Sequence, residues 1–117
     1  MDLTKEFEKT SAAVFERNIT SLVQLAKANG VRVVLVPEAF FLSRSSINPL
    51  FEKGVAEHAD AMRHVAARQK AVLIDLAKDF PRKTEYYDDG IHMTKEGNQE
   101  RAKRTAAVLI DEFRGSN

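Results

Sequence analysis

A chain of 117 residues is long enough for one domain with a modest core and leaves little room for a second. Hydrophobic residues make up 44% and charged residues 30%, a balance that argues against disorder, and no apolar run approaches the roughly 20 residues that span a bilayer. With 18 Lys+Arg against 17 Asp+Glu the net charge is +1, too little to gather a nucleic-acid backbone, and the lack of cysteine excludes a disulfide framework, a thiolate nucleophile and Cys-ligated zinc.

Met1 to Lys9 mix acid and base with no apolar stretch behind them, so no secretory leader is read and the cytoplasm is the expected location. Thr4 is the expected cap of a first helix, in which Phe15, Ile19, Leu22, Val23 and Ala26 form the buried face and Asn29-Gly30 supplies a left-handed stop. Val31 to Val36, rich in valine and bounded by Gly30 and Pro37, reads as a strand covered on both faces, which favours parallel pairing. Glu38 to Ile47 reads as a loop carrying Phe40, Phe41, Ser43, Arg44, Ser45 and Ser46. Asn48-Pro49 then opens a second helix, whose stripe of Phe51, Val55, Ala59, Met62, Val65 and Ala66 runs to about Gln69. A second strand follows at Ala71 to Ile74, closed by Asp75, and then a helical turn at Leu76 to Phe80. Pro81 to His92 reads as a polar loop, and Thr94 caps a last helix that buries Ala102, Ala106, Leu109 and Phe113 and stops at Gly115.

The order α-β-α-β-α, with crossovers long enough to return each strand parallel in a right-handed turn, predicts a single α/β layer domain over residues 1–117. Two parallel strands alone would leave unpaired edges and exposed valines, so the expected remedy is self-association, as a homo-oligomer, through a strand edge or the helix faces.

The chemistry-bearing stretch is Tyr87-Asp88-Asp89-Gly90-Ile91-His92-Met93-Thr94-Lys95-Glu96-Gly97. It resembles the last signature block of the SGNH (GDSL-like) serine hydrolases, in which an aspartate, two residues and a histidine precede a Ser or Thr and a Gly that open the C-terminal helix. The resemblance implies a three-layer, flavodoxin-like fold and hydrolysis of carboxylic esters, as in esterases and lipases. It places Asp89 and His92 on the loop between the last strand and the last helix, with no cofactor. The spacing has a physical reason. An aspartate three residues before a histidine on one tight turn accepts the Nδ1 proton and holds Nε2 outward, and Gly90 permits the turn. A histidine held this way, with an ordinary pKa of about 6.5, takes a proton from a serine hydroxyl and returns it to the leaving alcohol.

Members of that family share four blocks: a serine in a Gly-Asp-Ser segment, a glycine, an asparagine and the Asp-x-x-His pair. Only the last is present here. The five glycines and five asparagines of the chain lie at helix ends, turns, helix interiors or the C-terminus and carry none of the other roles. The resemblance therefore spans nearly the whole chain but only about the last half of a family domain. A truncated member without nucleophile or oxyanion donors is expected to be inactive alone, its partner being another copy or the missing N-terminal half. Ser43, Ser45 and Ser46 follow the first strand on the sheet edge expected for the His92 loop, and so are candidate nucleophiles, although ordinary loop serines are the plainer reading. The other reading of the whole chain is a non-catalytic, self-associating or partner-binding α/β module in which Asp89 and His92 only fix a turn.

Other residues carry paired readings. His58 and His64, six apart on one helix, do not face one way as a metal pair would and read as solvated. Glu85, Asp88 and Asp89 with His92 are either a cation site or a polar turn. Tyr86, Tyr87, Phe40 and Phe41 either line an acyl or alcohol pocket or pack their loops onto the core. Arg101, Lys103, Arg104 and Lys70 read as solvated surface.

Overall fold

Val34–Leu35 (β1) and Val72–Leu73 (β2) pair as parallel strands, Val34 opposite Val72 and Leu35 opposite Leu73, in a computed structural model that describes residues 3–41 and 49–114. Two helices accompany them, α1 (Leu3–Ala28) before β1 and α2 (Pro49–Gln69) in the crossover to β2. These four elements form the first of two compact units; the second comprises the segment from Glu38 and the residues from Ile74 onward.

The core of the first unit is Val23, Leu35, Val65 and Ala66, with Ile19, Val33, Ala71 and Leu73 packed against it. Ile19 and Val23 lie one helical turn apart, which sets the rotation of α1. Leu22, a rotation of about 100° from Val23, is thereby carried off the core and is 61% exposed, against expectation. Phe51 also lies at the surface, because the buried part of α2 begins further along, at Ala59, Ala61, Val65 and Ala66. Thr4 stands inside α1 rather than capping it.

Both strands are shorter than their apolar runs. The Val72 N–H donates to the Val33 carbonyl (3.1 Å), and pairing continues only through Leu35. Val31 is exposed instead of covered, and Pro37 lacks the N–H that would extend a ladder. The α1 stop is the expected one: Gly30 takes φ +74°, and Val31 N–H returns to the Ala26 carbonyl at 2.9 Å. α2 ends the same way with Lys70 at φ +55°, a conformation usually given to glycine.

Of the two α2 histidines, His64 is exposed as expected and His58 is half-buried, and both make contacts with α1. His58 stacks flat on Phe15 (centroids 4.1 Å apart, 7° between planes), and His64 Nδ1 lies 3.2 Å from the Glu16 carboxylate, which Arg68 also approaches at 3.4 Å. They bind α2 to α1 at separate points.

In the second unit, Asp75 caps the single turn α3 (Leu76–Asp79) by accepting the Lys78 N–H at 3.2 Å. A 3-10 turn over Thr84–Tyr86 follows, then α4 (Lys95–Phe113). Thr94 caps α4 as expected: its Oγ1 accepts the Gly97 N–H at 3.1 Å and donates to the Glu85 carbonyl at 2.5 Å. Thr94→Ala removes both bonds and is expected to lower the unfolding free energy by about 1 kcal/mol, with Thr94→Ser close to the parent in a urea titration; equal midpoints for the parent and the alanine variant would sink this.

The buried face of α4 keeps Leu109 and Phe113, half-buried as expected, and differs in the rest. Ala102 and Ala106 are exposed, while Arg101, Arg104, Thr105 and Val108 form the half-buried stripe with Leu109. The reason lies at Gly97. A Cβ there would stand 2.2 Å from the Tyr86 carbonyl oxygen, so the helix backbone approaches the preceding loop on the side of Gly97. Residues 101, 104 and 108 continue that side by helical spacing, and arginine stems serve where alanines were expected; the Arg104 guanidinium lies 5.8 Å from the Phe80 ring centroid. Ile110 is left 57% exposed beside Ala102 and Ala106. No helix among the described residues is long and apolar enough to cross a membrane.

Candidate active site

Residues 87–93, part of the segment expected as a polar loop, are closed on themselves by hydrogen bonds. Tyr87 and Met93 form an antiparallel bridge, Asp88 N–H donates to the His92 carbonyl at 2.8 Å, and Thr94 N–H donates to the Tyr86 carbonyl at 3.1 Å. The loop is a closed hairpin standing on the first turn of α4. Gly90 at its tip takes φ +89°, a left-handed conformation that an L side chain resists.

Inside this hairpin one carboxylate receives three donors. Asp89 Oδ1 accepts the N–H of Ile91 (2.9 Å) and of His92 (2.7 Å), and Oδ2 lies 2.8 Å from His92 Nδ1. Hydrogen bonding from the His92 N–H, then from its ring and from the Ile91 N–H, holds the Asp89 carboxyl well below the usual carboxylate range. The hydrogen bond to Asp89 and the charge of that carboxylate, with a smaller contribution from Asp88, push the His92 pKa up. Among the described residues His92 Nε2 has no partner, and the side chain is 76% exposed.

The two shifts act on opposite limbs of the stability curve. Asp89, its pKa depressed on folding, contributes stability above the usual carboxylate range and loses it as pH falls through the depressed value. His92, its pKa raised, contributes fully below about 6.5 and loses that contribution as pH rises through the raised value. The pair favours the folded state between those limits, and water screens the effect because both side chains are exposed. An NMR titration is expected to place the His92 midpoint above about 6.5, falling toward that value in Asp89→Asn. A parent midpoint at or below 6.5 would show that the contact does not persist in solution.

The aromatic residues around the hairpin pack it. Tyr87 is 2% exposed and stands edge-on to Phe41 (5.7 Å, 89°) and to Phe80 (6.1 Å, 86°), while Tyr86 leans on Phe80 at 5.5 Å under Lys83. The Tyr87 hydroxyl has no hydrogen-bond partner among the described residues, and burial pushes its pKa up. Two of the arginines read as solvated surface instead make specific contacts. Arg101 reaches the Glu38 carboxylate at 3.0 Å, and Arg104 holds Glu100 at 2.8 Å and the Asp79 carbonyl at 3.3 Å. Lys70 and Lys103 are exposed. Ser43, Ser45 and Ser46 lie outside the described residues. Among the described residues no group of three or more His, Asp or Glu side chains is arranged to hold a metal ion, Glu85, Asp88, Asp89 and His92 included.

Sequence reasoning missed three supports of the hairpin: the close approach at Gly97, the Glu38 to Arg101 pair, and a hydrogen bond from the Phe41 N–H to the Gly90 carbonyl at 2.7 Å. Only the first leaves a local signal, a glycine in the first turn of a helix where alanine has the better propensity.

A family model described as the GDSL-like Lipase/Acylhydrolase family matches residues 6–100. No curated protein matches, and no solved structure does.

Proposed function

The chain belongs to the GDSL-like lipase/acylhydrolase family, and from that membership we propose that it serves hydrolysis of small carboxylic esters, with His92 as general base and Asp89 as the carboxylate that orients it. The observation that carries this reading is the triple use of Asp89: two backbone N–H groups fix Oδ1, so Oδ2 stays on His92 Nδ1. The proton then resides on Nδ1, and Nε2 keeps its lone pair. In the reaction Nε2 removes the proton of a serine hydroxyl as Oγ adds to the ester carbonyl. The tetrahedral intermediate expels the alcohol oxygen, which takes that proton, leaving an acyl-serine. Water repeats the cycle, its proton passing through Nε2 to the serine, and the carboxylic acid departs.

The nucleophile in this proposal comes from polypeptide beyond the described residues, since no Gly-Asp-Ser segment occurs in the sequence. That polypeptide, a separate segment bearing the serine block, would complete a three-layer α/β domain. The apolar side chains left at the surface support a missing neighbour: Leu22 and Leu25 on α1, and Ile110 with Ala102 and Ala106 on α4.

The test is turnover of a short-chain aryl ester by the purified chain, alone and co-expressed with a polypeptide carrying the serine block of a family member, with the mass in solution recorded. No turnover alone and turnover in the complex are expected. A complex that forms and stays inert would overturn the proposal.

A further inference from the structure

We propose that Phe41 is a positioning residue for His92, bracing from outside the peptide unit that aims the Asp89 carboxylate; its catalytic meaning rests on the hydrolase reading above. The Gly90 carbonyl and the Ile91 N–H belong to one peptide unit, which is planar and points the two groups in opposite directions. The N–H end donates to Asp89 Oδ1 at 2.9 Å, and the carbonyl end accepts the Phe41 N–H at 2.7 Å. This unit is therefore held at both ends. A rotation that released the carbonyl would swing the N–H away from Oδ1 and free the carboxylate to leave the imidazole. Hydrogen bonds in series across one amide also polarise each other, so the outer bond strengthens the inner.

Any residue but proline offers an N–H; the side chain decides whether it stays in place. The Phe41 ring is anchored edge-on against buried Tyr87, itself bridged to Met93 at the foot of the hairpin. Three residues earlier, Glu38 is tied to Arg101 of α4, the helix on which the hairpin stands. Phe41 is thus fixed to both supports of the turn that it braces.

The readout is the NMR titration midpoint of His92, which depends on the Asp89 contact and not on turnover. Phe41→Ala keeps the N–H and loses its anchor; its His92 midpoint is expected to fall toward the ordinary value, while Phe41→Leu, which keeps apolar bulk, recovers most of the shift. A folded Phe41→Ala chain with a lower melting temperature and the parent midpoint would mean that the ring only stabilises, and would overturn the proposal. If Phe41→Ala does not fold, Arg101→Met decides. Loss of a positive charge by itself does not lower the midpoint, whereas loss of the brace does, so a rise or no change overturns the proposal. Failure of the hydrolase reading would appear separately, as a raised His92 midpoint in a complemented protein without turnover.

Discussion

Asp89→Asn is expected to lower kcat for a short-chain aryl ester, in the chain completed by a serine-bearing polypeptide, by about 10³–10⁴-fold with the fold intact. The amide oxygen of asparagine still accepts the Ile91 and His92 N–H groups, which lie 2.9 Å and 2.7 Å from Oδ1 in the parent, so the turn survives. What changes is the other atom. An NH₂ group replaces Oδ2 beside His92 Nδ1, so Nδ1 becomes the acceptor, the ring proton moves to Nε2, and the nitrogen that should remove the serine proton has no lone pair to offer. His92→Ala removes the base itself and is expected to cost about as much or more, roughly 10⁴-fold or greater. The two losses act on one unit, so the double variant should be little worse than His92→Ala alone. Steady-state kinetics with melting curves for each variant check this. A folded Asp89→Asn protein within tenfold of the parent would remove Asp89 from the mechanism.

Gly97→Ala is expected to destabilise the second unit by about 3 kcal/mol or more, although the same change in an unconstrained helix would stabilise by about 1 kcal/mol. The added Cβ would stand 2.2 Å from the Tyr86 oxygen, 3.0 Å from the Tyr86 carbonyl carbon and 3.1 Å from Met93 Cβ. The first two are backbone atoms and cannot turn aside as a side-chain end would. That oxygen also accepts the Thr94 N–H, so relief of the clash pulls on the α4 cap and on the Tyr87 to Met93 bridge together. Against a total stability of the order of 5–15 kcal/mol, such a loss is a large share. Urea denaturation measures it, and the His92 titration in the same variant reports whether the hairpin moved. A midpoint equal to or above the parent's would mean that the approach of α4 to the loop is looser than the structure has it.

Features within one or two turns of chain are legible in the sequence. Asp89 and His92 are three residues apart, and a carboxylate at that spacing finds the following N–H groups and the ring without help from elsewhere. The stop at Gly30 and the cap at Thr94 are equally local. Parallel pairing was also readable, because a crossover as long as α2 returns the chain in the same direction.

Other features depend on what a neighbouring element presents, and periodicity carries none of that. An apolar stripe shows that a helix has a face to bury, but its rotation is set where backbones meet. On α4 the approach at Gly97 selects the arginine-bearing side and leaves Ala102 and Ala106 outside; on α1 the Ile19 and Val23 contacts leave Leu22 outside. An apolar run likewise marks where a strand fits, while its length is set by its partner, so the valine run beginning at Val31 pairs only at Val34–Leu35.

By itself, then, the sequence determined the helices, the parallel pairing and the Asp89 to His92 turn, because these rest on bonds between residues close in the chain or on the length of one crossover. Tertiary structure alone decided which face of each helix is covered, how far the strands pair, and how Phe41 and Arg101 brace the turn, because those contacts join residues 49 and 63 positions apart whose mutual approach no local spacing encodes.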